Sequence, residues 1–251
     1  MSKERFFKGT FLLTSAGLIS RIMGFFYRIF LSHTIGAEGI GLYQLVVPLQ
    51  HLVLAMTTFG IQTALSRLIS SHTALGEKKE AQDCFRIGTF LALFLSGMAA
   101  WSIFTFSDFF AVQILKEPAT ESLIRLLALS FPFASVHLCV NSYYLGLKKA
   151  SFPAATQILE QLVRIFSTCL LWQICLSRNI AVTAMIAVAG SFLSELAAAL
   201  CSFICVSLNS SVSSVSSHHI EKPVQKISEI GHMALPLTLN RLLLSVLAAI
   251  E

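Results

Sequence analysis

Between Glu38 and Arg67 the chain carries no charged side chain. A helix crosses the roughly 30 Å hydrocarbon core of a bilayer with about 20 apolar residues. This stretch is therefore long enough to cross with tilt or a kink. It is not alone. Only 12% of the residues are charged and 55% are hydrophobic, with a mean hydropathy of +0.74. Soluble domains carry about 25% charged residues. Backbone polar groups in lipid must bond within their own segment. The expected fold class is therefore all-α: a polytopic membrane helical bundle, with the lipid bilayer as its first partner.

Apolar runs fall at residues 9–33, 40–69, 87–107, 123–147, 154–177 and 180–208, and a seventh starts near 230 and is still apolar at Glu251. Polar stretches separate them: Gly36-Ala37-Glu38-Gly39, residues 71–83 with Glu77-Lys78-Lys79-Glu80, residues 108–121, Lys148-Lys149-Ala150-Ser151, Arg178-Asn179, and a serine-rich segment 210–217. Pro153 suits the first position of a helix. Pro48, Pro132 and Pro236 read as tolerated kinks. The division expected is 1–208, a six-helix lobe; 209–228, a cytoplasmic linker; and 229–251, the start of a second lobe with a cut seventh helix. Six spans, a polar linker and a new span are expected of the first half of a two-lobed transporter built from repeats.

Ten basic residues (Lys3, Arg5, Lys8, Lys78, Lys79, Arg86, Lys148, Lys149, Lys222 and Lys226) fall on one side of this arrangement, and only Lys116 and Arg178 on the other. The positive-inside rule then puts the N-terminus in the cytoplasm. The basic start leads into a span too long for a cleaved signal, and no A-x-A site follows. The net charge of +5 has the sign of a nucleic-acid binder, but the basic residues sit at segment ends and inside segments, with no RNP-like, zinc-finger or Walker motif. No nucleic-acid partner is expected. The six cysteines form no CxxC pair, and the seven histidines show no HxxxH or HExxH spacing. No metal and no cofactor is expected. G-x-S-x-G, DxD and paired loop carboxylates are missing as well, so enzyme chemistry is not expected.

The charges inside the spans carry the functional expectation. An intramembrane arginine costs on the order of 3 kcal/mol on insertion scales unless it faces protein, water or an anion. Arg21 and Arg28 are seven residues apart, two helical turns, and share a face with Gly17 and Gly24. Two readings stand: a site for an anionic headgroup, for which the planar guanidinium fork suits phosphate, or structural glue through carboxylates and carbonyls. Glu160 and Arg164 have the i, i+4 order of a helical ion pair, with Gln161 beside them. They either neutralise each other or take part in ion coupling. Glu195 is a lone acid deep in the sixth span: a proton site, a partner for Arg21, or a group neutralised inside the lobe. Arg241, beside Asn240, repeats the case of Arg21 in the seventh segment. Arg67 and Arg125 lie near span ends and read as headgroup anchors. Ala16, Ser20 and Gly24 recur every fourth position, a helix-packing seam.

Several stretches carry a family likeness: Lys8-Gly9-Thr10, Ser20-Arg21-Ile22-Met23-Gly24-Phe25-Phe26-Tyr27-Arg28, Ile35-Gly36-Ala37-Glu38-Gly39-Ile40-Gly41-Leu42-Tyr43-Gln44, Gly60-Ile61-Gln62-Thr63-Ala64-Leu65-Ser66-Arg67, Tyr144-Leu145-Gly146-Leu147-Lys148-Lys149, the run from Pro153 to Arg164, and Pro236-Leu237-Thr238-Leu239-Asn240-Arg241. They resemble the first half of the sporulation-type polysaccharide transporters of the MATE-like (MOP) flippase superfamily. The resemblance implies two lobes around a central cationic cavity with alternating access. It implies a substrate of the polyprenyl-diphosphate-linked sugar class, such as a peptidoglycan precursor, and first-helix arginines at its diphosphate. On this reading Arg21, Arg28, Arg241 and Gln161 bind substrate. Glu160, Arg164 and Glu195 serve ion coupling or charge pairing, and full function needs the C-terminal lobe. Two alternatives remain at this stage: a cation-coupled multidrug antiporter of the same superfamily, which would favour an acid-rich cavity, and an inactive truncated half-transporter.

Overall fold

The computed structural model describes residues 3–208 and 223–250, with side chains for 7–208 and 226–239. All regular structure in the described residues is helical. Helix α1, Lys3–Leu54, is too long for a single crossing: at 1.5 Å per residue its 52 residues would reach about 78 Å. It is broken at Gly36, where φ is 72° and ψ 179°. That conformation is open in practice only to glycine, so the turn that separates the first two spans rests on one residue. A π-turn, Ala55–Phe59, follows, with the Thr57 hydroxyl donating to the Val53 carbonyl at 2.8 Å, and leads into α2, Gly60–Ala74. Next comes α3, Lys78–Thr105, and after a connector of short turns, α4, Glu121–Ala128, and α5, Phe131–Gly146. Helices α6, Ser151–Ser177, α7, Met185–Leu208, and α8, Pro223–Ile250, complete the described elements.

Four stretches are long and apolar enough to cross a membrane: Phe7–Ala74, bent at Gly36, Lys78–Thr105, Ser151–Ser177 and Met185–Leu208. A fifth is the pair Pro118–Ala128 and Phe131–Gly146, bent by 46°. The bend falls at Pro132, the kink read from the sequence within the span expected over 123–147. Pro132 has no N–H for the Ala128 carbonyl, and its ring would clash there. The chain turns instead, and the Ser130 hydroxyl donates to the Leu127 carbonyl at 2.6 Å. The sixth apolar helix starts at Met185 rather than 180, because Asn179 takes a left-handed φ of 53° just after α6 ends. Helix α8 starts at Pro223, ahead of residue 229 where the apolar run was expected to begin.

Large apolar side chains face outward as well as inward: Phe11 (75% exposed), Phe90, Trp101 and Phe166 point outward, as lipid-facing residues do. Buried hydroxyls and amides join the helices inside. The Ser96 hydroxyl of α3 donates to Ser135 of α5 at 2.9 Å, and the Thr156 hydroxyl of α6 donates to Asn141 of α5 at 3.0 Å. Leu65, Ile69, Phe85 and Tyr143 form one core between α2, α3 and α5, against which Ile230 and Ala234 of α8 also pack. Val46, Leu54, Ile124 and Phe131 form a second.

A cationic cavity between the first and sixth helices

The first arm of α1, residues 3–35, lies against α6. Its glycines set the separation: a Cβ on Gly24 would sit 3.6 Å from Gln161 Nε2, and one on Gly17 would sit 4.0 Å from Gln157 Nε2. The Thr168 hydroxyl donates to the Arg164 carbonyl at 2.8 Å, which commits its proton. The Tyr27 hydroxyl therefore donates to Thr168 Oγ1, at 3.0 Å, and ties the two helices. The side chains on either side of this tie open into a cavity of about 680 Å³. Arg21, Arg28, Tyr43 and His51 line it from α1, and Gln161 and Arg164 from α6. Three guanidinium groups thus face one space. Among the described residues, no ion pair engages Arg21 or Arg28, and both are exposed. Arg21 also borders a hollow of about 570 Å³ with Thr14, Ser20 and Gln157.

Arg164 faces two ways. It lines the large cavity and also an adjoining one of about 280 Å³, where Glu160, His137 and Glu195 converge from α6, α5 and α7. Its Nη2 pairs with Glu160 in the i, i+4 arrangement read from the sequence, and its Nη1 donates to Gln161 Oε1 at 3.4 Å. His137 Nε2 is 3.9 Å from Glu160, and Nδ1 is 3.1 Å from Glu195 Oε2. Those last two atoms approach without meeting hydrogen-bond geometry. Glu195 therefore sits beside His137. Arg241 lies on α8, but its side chain is outside the described residues. Arg125 pairs with Glu121 and donates from Nε to Ser107 at 2.8 Å.

Sequence reasoning missed His137. A histidine in an apolar run reads as packing, and its partners stand 23 and 58 residues further along the chain on other helices. No spacing rule reaches that far. It also missed Lys226, counted as a loop charge. Lys226 is 7% exposed, and its Nζ lies 2.8 Å from Glu80 and 3.0 Å from Asp83 of α3.

Residues 6–251 match the family model described as polysaccharide biosynthesis protein. The chain belongs to that family. It is 28% identical over 248 residues to stage V sporulation protein B of Bacillus subtilis (strain 168), covering 96% of this chain and 47% of that relative. It is 27% identical over 170 residues to lipid II flippase MurJ of the same organism, covering 64% and 31%. The family member thus spans about half the length, or less, of the curated relatives it matches. Two solved structures share its fold at a TM-score of 0.76 and 16% identity. One is a MOP superfamily transporter from Pyrococcus furiosus, whose reversed pocket polarity was taken to suggest a different function; 95% of this chain covers 53% of it. The other is an outward-facing multidrug resistance MATE family transporter, with 95% covering 54%. At that identity the likeness establishes fold: an all-α membrane bundle of the MOP transporter type. The family member is a multi-pass membrane protein, and the activities named among these relatives are transport and lipid flipping, not enzymatic conversion.

Proposed function

We propose that this chain forms the first lobe of a bacterial membrane flippase for polyprenyl-diphosphate-linked sugars, working by alternating access with its N-terminus in the cytoplasm. Residues 1–208 make the lobe, 209–228 the linker, and 229–251 the start of a second lobe. A complementary C-terminal lobe closes the cavity from the other side, and Arg241 contributes from there. Arg21 and Arg28 grip the diphosphate, Gln161 donates an amide hydrogen bond, and the polyprenyl tail stays in lipid. A diphosphate needs fixed cations in a wet space walled by low dielectric, where each charge-assisted hydrogen bond is strong.

One observation carries this reading: Arg21 and Arg28 face a single open cavity with no carboxylate partner among the described residues. A site for cationic drugs calls for the opposite sign. The test uses the chain in lipid nanodiscs with farnesyl diphospho-N-acetylglucosamine as probe. Arg21→Ala and Arg28→Ala are each expected to weaken binding by about tenfold or more, the loss of one charge-assisted contact. Unchanged affinity in both variants would remove the diphosphate site. Tight binding of tetraphenylphosphonium that ignores both arginines would favour the antiporter.

A further inference from the structure

The small cavity behind Arg164 holds chemistry that the anion site does not use. Glu160, Glu195 and His137 bring two carboxylates and an imidazole together from three helices, with His137 4% and Glu195 6% exposed. His137 Nδ1 and Glu195 Oε2 are buried without hydrogen-bond partners and lie on the wall of a hollow of about 280 Å³. That space is ample for a water, which occupies about 30 Å³. Arg164 Nε is likewise buried and unpartnered. The guanidinium therefore holds unused donor capacity while one of its nitrogens is committed to Glu160.

We infer that the His137–Glu160–Glu195 cluster is a proton-binding site that decides which partner Arg164 serves. With both carboxylates ionised and the imidazole neutral, the cluster and Arg164 together carry one net negative charge, and Glu160 holds the guanidinium. One proton taken up by the cluster cancels that charge and weakens the hold. Arg164 is then free to turn its donors to a phosphate in the large cavity, which it already lines. The proton belongs to the cluster as a whole, since groups this close titrate together. Coupling between two ligands is reciprocal: the proton tightens the anion, and the anion draws in the proton. The other charged and titratable groups facing Arg164 and the cluster are Arg21, Arg28, Tyr27, Tyr43 and His51 of α1, of which the two arginines stay charged throughout, while the π-turn contributes Phe59, which does not titrate. Of these, His51 is the rival for any response near neutral pH.

The inference rests on the diphosphate reading for its anion, so its test has a ligand-free arm. The first arm follows the carboxyl band of the unliganded chain in nanodiscs by infrared difference spectroscopy. A protonated-carboxyl signal should grow as pH falls, and change in Glu160→Gln and Glu195→Gln. The second arm measures affinity for farnesyl diphospho-N-acetylglucosamine, a diphosphate diester whose charge stays constant from about pH 5 to about pH 8. Wild type should bind about tenfold tighter at the acidic end, a coupling of ordinary size. Glu160→Gln should bind tightly at both ends, because its Arg164 is already released. Glu195→Gln, which leaves the Arg164 partner in place, should flatten the slope and guards against a folding defect in the first variant. His51→Gln should keep the slope. A flat wild-type profile with binding that still needs Arg21 and Arg28, or a slope lost only in His51→Gln, overturns the proton site and leaves the diphosphate reading standing. Failure of the probe to bind at any pH overturns both.

Discussion

Gly190 of α7 is the position where the site depends most directly on one missing atom. A Cβ there would lie 2.0 Å from Thr168 Oγ1 and 3.2 Å from the Arg164 carbonyl. Thr168 is the same residue that accepts from Tyr27. Gly190→Ala must therefore turn the Thr168 hydroxyl out of its bonds to Tyr27 and the Arg164 carbonyl or push α7 off α6, and overpacking of this kind costs about 1–3 kcal/mol. A lower Tm in detergent is expected, with partial recovery when Thr168→Ala makes room. Tyr27→Phe is the contrasting case. It leaves Thr168 bonded to the Arg164 carbonyl and should cost only about 0.5–1.5 kcal/mol, one net hydrogen bond. A larger loss from Tyr27→Phe than from Gly190→Ala, or no recovery with Thr168→Ala, would contradict the geometry. At this scale the sequence was informative wherever a charge stood in an apolar run. Arg21, Arg28, Glu160, Arg164 and Glu195 announce themselves by cost. Gly190, Thr168 and His137 carry no fixed charge to mark them in an apolar run, so only the three-dimensional arrangement reveals them.

Helix boundaries followed the polar punctuation, while the breaks inside helices followed backbone chemistry that hydropathy does not register. Gly36 could be read as part of a turn, but not as the single residue that kinks α1. Pro132 was readable as a kink. Its outcome, a 46° break with Ser130 taking over a carbonyl, depends on the surrounding pack. The start of α8 shows the same limit. Lys226 looks like a loop charge until its two acidic partners on α3 are seen. Lys226→Met leaves Asp83 buried and unpaired, so the start of α8 should lose hydrogen-exchange protection. Adding Asp83→Asn should restore part of it, because removing both charges is far cheaper than removing one. Glu80 adds a pH signature. It lies on the polar first turn of α3, and the hydrogen bond from Lys226 holds its carboxyl below the usual range. A carboxyl shifted down in the folded state contributes above its unfolded value and loses that contribution as pH falls through the folded one. Exchange protection at the start of α8 should hold at neutral pH and fall on acidification below the ordinary carboxylate range.

The whole molecule has a polarity that its parts do not show singly. The kink at Gly36 and the short turns at Lys148 and Asn179 separate successive apolar segments, while the 46° break between α4 and α5 lies within one of them. Of the basic residues outside the apolar runs, ten fall on one side of the arrangement expected from the sequence and two on the other. The orientation proposed above follows from that excess, because lysine and arginine near span ends resist translocation. Ser151 opens α6 beside Lys148 and Lys149, and Ser177 closes it beside Arg178; both are exposed. In the proposed topology they mark opposite membrane faces across one helix. In a background with all six cysteines replaced by alanine, Ser177→Cys should react with a membrane-impermeant maleimide added to intact cells. Ser151→Cys should react only after the membrane is opened. The reverse pattern would turn the molecule over, so that the cavity residues nearest the N-terminus, Arg21 before Arg28, would meet a substrate from the outer face first. Labelling of both sites in intact cells would instead mean that α6 does not span. The topology proposed for the lobe, with its N-terminus in the cytoplasm, stands on the first of these three outcomes, in which Arg21 lies nearer the cytoplasmic face than Arg28.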